Sequence, residues 1–265
     1  TAILCMIVLL FLLTLSLIGG RKGVYSAVAF IFTFVCIVFL FLPLIYRGVS
    51  PVWAAVLVAI LTTVVTMYLL GGISSKSATA VVGTVLGVGI SGILAILFGK
   101  WTHISGYNVA DIEQLTYVGQ TTNIKIGELL YAGILISALG AVMDVAMSIA
   151  STINEIHFRN PLLSARELFF SGIRVGKDMM GTMSNTLILA FTGTSINTLV
   201  FLYVYNYSTT QIINMYSIGI ELIQGIASTM GVILTIPLVS LLSAWHLKRK
   251  EIKIFSKIFQ RTGRR

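Results

Sequence analysis

The sequence predicts an all-α protein: a polytopic membrane helix bundle of seven transmembrane helices, N terminus outside and C terminus inside. Composition is the first observation behind this. Of 265 residues 57% are hydrophobic and only 10% charged, with a mean hydropathy of +0.96, whereas a soluble domain is about 25% charged. Too few Asp, Glu, Lys and Arg are present to coat a soluble core. The second observation is a series of apolar stretches, each near the roughly 20 residues that cross a bilayer. The third is that Lys and Arg fall on alternate connections.

In chain order the expected spans are residues 1–18, 24–45, 52–70, 78–98, 126–150, 184–205 and 225–245, which make a domain over 1–247. The first has no basic leader and runs through Gly19-Gly20-Arg21-Lys22-Gly23 straight into another span. It therefore reads as a retained helix rather than a signal peptide. In the fourth, Gly83, Gly87, Ser91 and Ala95 recur every four residues, a seam along which another helix approaches closely. Asn108-Val109-Ala110-Asp111 has capping-box spacing and predicts a short surface helix up to Gly119. Ser164-Ala165-Arg166-Glu167 is the stronger form of that signal. It opens an amphipathic helix to Met180 with Leu168, Phe169, Gly172, Ile173, Gly176, Met179 and Met180 on one side. That helix reads either as lying on the inner membrane surface or as a docking surface for a cytoplasmic partner.

Orientation follows from the cations. Connections after the odd-numbered spans hold fifteen of the 18 Lys and Arg, and the other side holds Arg47, Lys100 and Lys125. By the positive-inside rule the fifteen are cytoplasmic. Eight of them lie in the basic tail, 248–265, with Ile252, Phe255, Ile258 and Phe259 interleaved. Such a tail after an apolar span is a stop-transfer and contacts anionic lipids, which accounts for the net charge of +9 without nucleic acid. Cys5 and Cys36 sit inside apolar runs and form neither a disulfide framework nor a ligand pair. No span carries the Schiff-base lysine that a retinal protein needs. No metal-ligand, nucleotide or cofactor pattern is present, so cofactors are expected to be none and the chain is not expected to be an enzyme. Gly89-Ile90-Ser91-Gly92 resembles the nucleophile motif of rhomboid proteases, but such a serine needs a histidine on a facing span. His103, His157 and His246 fall in loops or at a helix end.

The fifth span carries the most informative pattern. Gly133, Ser137, Gly140, Asp144, Ser148, Ser151 and Glu155 are spaced three or four apart and form one small and polar stripe. An ionised carboxylate near the bilayer centre costs several kcal/mol, so Asp144 must be paired, protonated or in contact with water. Two readings stand. In one the stripe is a packing seam, with Gly133 and Gly140 letting a neighbour approach as Gly83, Gly87 and Ser91 do. In the other, Asp144, Ser148, Ser151 and Glu155 line a polar pathway that binds a proton or cation. Gln211, Asn214, Ser217, Glu221 and Gln224 form a second stripe, either interfacial or entering the bundle as a broken helix. One helix from Gln211 to Trp245 would be about 52 Å long, so a bend near Gly225 is expected, and Pro237 is a second place for a kink. The sixth span is polar, with Asn185, Thr186, Thr192, Thr194, Ser195, Asn197 and Thr198. These are expected to bond between helices, with Asn185, Thr194 and Asn197 as alternative lining.

The run Gly140-Ala141-Val142-Met143-Asp144-Val145-Ala146, with Ser148, Ser151, Asn154-Glu155 and Gly181-Thr182-Met183-Ser184-Asn185-Thr186-Leu187, resembles the YibE/F-like family of bacterial multi-pass membrane proteins. The Gly19–Gly23 turn and Pro237 also fit. The resemblance implies the bacterial cytoplasmic membrane and a short form of the family, often placed beside a longer YibE-like partner. It brings no biochemical activity. The sequence reading is thus a permease or permease subunit for an ion or small solute, with Asp144 as the coupling carboxylate and Glu221 contributing from outside. The alternative is a scaffold or assembly subunit, as a homo-oligomer or with a YibE-like partner.

Overall fold

The computed structural model describes residues 2–109 and 112–262, the last part of it, 250–262, as backbone only. Among these residues the chain is helical and has no strand. Five helices are long and apolar enough to cross a membrane, or six if one sharply bent pair counts as a crossing.

α1 (Ala2–Cys36) holds two helices that meet at Gly20, whose φ of 55° and ψ of −134° lie outside any helix. Only glycine adopts that conformation cheaply. The chain folds back there, so that Phe11 meets Phe30 edge-on at 5.7 Å and Gly23 lies against the backbone of Leu15. A π-helical turn, Ile37–Phe41, leads into α2 (Leu42–Tyr46). Pro51 starts α3 (Pro51–Gly71), as proline does at first helical positions. α4 (Ser75–Thr102) is capped by the Ser74 side chain. A 3₁₀ turn, Gly106–Asn108, is closed by reciprocal Ser105 and Asn108 bonds. α5 (Ile112–Thr121) follows, so the surface helix is present, although Ala110 and Asp111 of its expected cap lie outside the described residues.

α6 (Ile126–Arg159) is the hub. Val142, Val145, Ala146, Ile149 and Ile153 are fully buried among α3, α4, α10 and the next helix, α7 (Ala165–Thr194). Ser164 and Glu167 form the expected capping box at the start of α7. The face predicted for this helix is the buried one: Leu168, Gly172 and Gly176 are buried, with Gly172 against Ser240 and Ile153 and Gly176 against Ile236. Its first half therefore has protein, and not lipid alone, against this face. It packs on α6 and α10 as part of the bundle, because two glycines on one face allow contact closer than lipid headgroups would require. The helix is also not interrupted near 180. It runs on to Thr194 and bends by 61° at Ser195 into α8 (Ile196–Val204), so the sixth apolar stretch is a broken helix.

Ser208 and Gln211 close another capping box that starts α9 (Thr209–Ile213). α10 (Tyr216–Thr262) then continues for 47 residues, with Pro237 inside it. The stretch from Gln211 is thus interrupted as expected, but the break falls at Asn214–Met215 instead of Gly225. Gly225 is inside the helix, with Phe191 at an ordinary 3.7 Å from where its Cβ would be, so it makes no bend. At about 1.5 Å per residue α10 is roughly 70 Å long, more than twice a ~30 Å hydrocarbon core. At its far part Arg249 stacks over Trp245 at 4.8 Å and Lys248 donates to the Pro161 carbonyl at 2.8 Å.

Cross-bundle contacts sort the helix ends. Ser50 bonds Glu128, Gly48 meets Asn123, and the Tyr131 hydroxyl donates to the Ile104 carbonyl at 2.9 Å. These gather the connections holding Arg47, Lys100 and Lys125 at one end. Ser75 with His246 at 3.3 Å and Lys248 with Pro161 gather those holding Lys76, Arg159 and Arg166 at the other.

Candidate functional site: a polar seam along α6, α7 and α10

The broad apolar face of α6 decides where its polar stripe goes. With Leu135, Val142, Val145, Ala146, Ile149 and Ile153 buried on one side, the helical period puts the stripe on the opposite side. Gly133, Gly140, Asp144 and Glu155 are exposed on the single chain, and Ser137, Ser148 and Ser151 are half-buried. A Cβ added at Gly133 or Gly140 would meet nothing within 4 Å. These two glycines therefore seat no neighbouring helix of this chain, unlike the pair on α4: Gly83 lies against Val239, Gly87 against Thr235 and Val142. Ser91 donates to the Ala227 carbonyl at 3.0 Å, which also commits the proton of the rhomboid-like serine to a backbone bond. Asp144 has no hydrogen bond or ion pair among the described residues. Glu155 is held by Arg159 Nε at 2.8 Å, both side chains exposed, a surface pair of little energetic weight.

The stripe is joined to α10. Gln224 Nε2 donates to Ser137 Oγ at 3.3 Å. One turn from Gln224, Glu221 lines a cleft of about 250 Å³ between α10 and the α7–α8 bend. Its other walls include Ile188, Phe191, Thr192, Ser195, Leu199 and Ile226. Glu221 is half-buried and has no hydrogen bond or ion pair among the described residues. Thr192 Oγ1 donates to the Ile188 carbonyl at 2.8 Å.

The hydroxyls of the sixth stretch do not tie helices together. Thr186 donates to Thr182, Thr192 to Ile188 and Thr194 to Phe191, all within α7. The helix offers its own carbonyls three or four residues back, closer than any neighbour. Asn185 and Asn197 are exposed, and neither they nor Thr194 line the cleft, whereas Thr192 and Ser195 do. In the second stripe Gln211 is occupied by the Ser208 cap, and Asn214 donates to the Thr210 carbonyl at 2.7 Å. Ser217, Glu221 and Gln224 carry it on into α10.

Three buried hydroxyls on α10 have no hydrogen-bond partner among the described residues: Ser228, Thr229 and Ser240. Ser228 lies four residues past Gln224, so counting three and four past Gly225 finds it. An expected bend at Gly225 hides it. Each is a buried polar group left without a protein partner, the condition that an ordered water ordinarily relieves.

The family model described as YibE/F-like protein matches residues 7–249, nearly the whole chain. No curated protein and no solved structure matches it.

Proposed function

The chain belongs to the YibE/F-like family, and we propose that it is a membrane permease, or a permease subunit, that moves an ion or small solute along the α6–α7–α10 seam. The Ser137–Gln224 bond carries this reading. It couples two polar stripes on different helices into one continuous line, with an unpaired carboxylate near each end: Glu221 in the cleft and Asp144 two turns from Ser137. Neither side chain is needed to hold the fold, and an unpaired carboxylate at membrane depth is costly, so both are read as working groups. The break at Ser195 beside Glu221 supports the same reading, because discontinuous helices bring polar backbone to the binding sites of transporters. Unpartnered Ser228 and Thr229 would hold water between the two carboxylates, with Ser148 and Ser151 continuing toward the His246 end.

In this arrangement the reversal at Gly20 divides the first apolar helix into two crossings, which with the bent pair makes seven. The cation-poor end is then outside and the basic tail inside, on anionic lipid of a bacterial cytoplasmic membrane. The test is proteoliposome flux of protons and monovalent cations, wild type against Asp144→Asn and Glu221→Gln. Flux that falls at least tenfold in both variants supports the pathway, and unchanged flux in both removes it.

A second reading has its own observation. Open space at Gly133 and Gly140, beside an exposed Asp144, is what a helix face covered by another subunit leaves when seen alone. A scaffold or assembly subunit predicts a stable partner, homo-oligomeric or YibE-like, that protects this face. Gentle solubilisation that repeatedly yields the single chain argues against it.

A further inference from the structure

The Glu221 cleft has a chemistry that a general polar pathway does not require. Its surface is mostly apolar, formed by Ile188, Phe191, Leu199, Leu222 and Ile226, and among the described residues Glu221 is the only ionisable group lining it. The polar atoms there favour a cation. An ionised Glu221 carboxylate accepts hydrogen bonds and donates none, and the Thr192 hydroxyl has spent its proton on the Ile188 carbonyl at 2.8 Å, leaving its lone pairs. Ser195, half-buried at the helix break, adds a third oxygen-bearing group to the lining. One carboxylate and two hydroxyls fall short of the six to eight oxygens that a calcium ion takes. They match the three N–H donors of a primary ammonium group, and the Phe191 ring supplies a face of the kind cations stack on. At about 250 Å³ the cleft is slightly smaller than drug-sized pockets, which begin near 300 Å³, and it suits a small ligand with an apolar body.

We propose that the cleft between α10 and the α7–α8 bend binds small amphiphilic organic amines, with the ammonium on Glu221, Thr192 and Ser195 and the apolar body against Ile188, Phe191 and Ile226. This names a ligand class for one end of the pathway proposed above, but the binding itself does not depend on transport. The experiment uses the full chain in nanodiscs of zwitterionic lipid, with empty nanodiscs subtracted for partitioning. Radiolabelled 2-phenylethylammonium is compared with 2-phenylethanol, its neutral counterpart, and with 3-phenylpropanoate. Wild type binds the ammonium about ten- to a hundredfold more tightly than the alcohol, the range expected of hydrogen bonds to a charged group, and the anion binds weakest. Glu221→Gln makes amine and alcohol equal, while Glu113→Gln, on α5, keeps the preference. Equal binding of amine and alcohol by wild type overturns the proposal without recourse to any variant, as does an amine preference that survives in Glu221→Gln. Amine binding without any flux leaves the site standing and removes the permease reading. Flux without amine preference does the reverse.

Discussion

Replacing Gly87 by alanine tests the packing of the bundle most sharply, because its cost can be set against an identical change elsewhere. The new methyl would press on Thr235 Oγ1 and lie 2.9 Å from Val142 Cγ1, where carbon atoms rest about 3.5–4.0 Å apart. Relief requires α4 to retreat by several tenths of an ångström from two helices at once, or Thr235 to rotate. Rotation would break the bond from Thr235 Oγ1 to the Gly231 carbonyl, 2.7 Å long and buried. Overpacking costs about 1–3 kcal/mol and an unsatisfied buried hydroxyl about 1–3 kcal/mol, so Gly87→Ala should lose about 1–3 kcal/mol by whichever route is cheaper, before the helix-propensity gain that any Gly→Ala change in a helix brings. Gly140→Ala makes the same chemical change where nothing lies within 4 Å. It should be neutral or gain up to about 1 kcal/mol from helix propensity. Thermal unfolding in detergent, followed by a thiol-reactive dye at buried Cys36, measures both. Equal stability of the two variants, or a loss at Gly140 as large as at Gly87, would refute the assignment of these faces.

Further outcomes follow from particular contacts. Ser164→Ala removes the half of the α7 capping box in which Ser164 Oγ accepts from the Glu167 N–H and should cost about 1 kcal/mol in the same unfolding assay. Ser91→Ala deletes the 3.0 Å bond to the Ala227 carbonyl and should lower stability by about 1 kcal/mol, with no change in any flux the protein supports. Glu155→Gln, which removes an exposed pair with Arg159, should leave the melting temperature unchanged. Cysteines placed at Lys100 and Lys125 should react with an impermeant maleimide from the face opposite to cysteines at Lys76 and Arg166. Reaction of all four from one face would contradict the sorting of the helix ends.

Much of this architecture was legible in the sequence because it rests on local rules. The capping box at Ser164 and the apolar face from Leu168 to Met180 both appear on α7 as the residue spacing requires. What that spacing cannot reveal is the partner of a face: the same seven residues suit a lipid surface or two helices, and Gly172 lies against Ser240 of α10 and Ile153 of α6. The α6 stripe was visible as a stripe, yet its identity as a seam of small residues says nothing about which side of the bundle it occupies. The greater apolar area of the Val142 face wins the interior and turns Gly133 and Gly140 outward. On α10, length suggested a bend, and glycine suggested where. The capping box at Ser208 placed the break earlier instead. Once Gly225 is helical, the stripe from Ser217 through Glu221 and Gln224 to Ser228 is continuous, and its link to Ser137 becomes a tertiary fact that no single-helix pattern contains.

A transport pathway along the seam requires the seam to be wet. Single cysteines at Ser137, Asp144, Ser148 and Glu221, in a background lacking Cys5 and Cys36, would be exposed to a charged, membrane-impermeant methanethiosulfonate in proteoliposomes. Ile93 on α4, which is 66% exposed and apolar, provides the lipid-facing reference. A water-lined pathway predicts that the four seam positions react much faster than Ile93→Cys. Reaction at Asp144→Cys and Glu221→Cys no faster than at Ile93→Cys would contradict it.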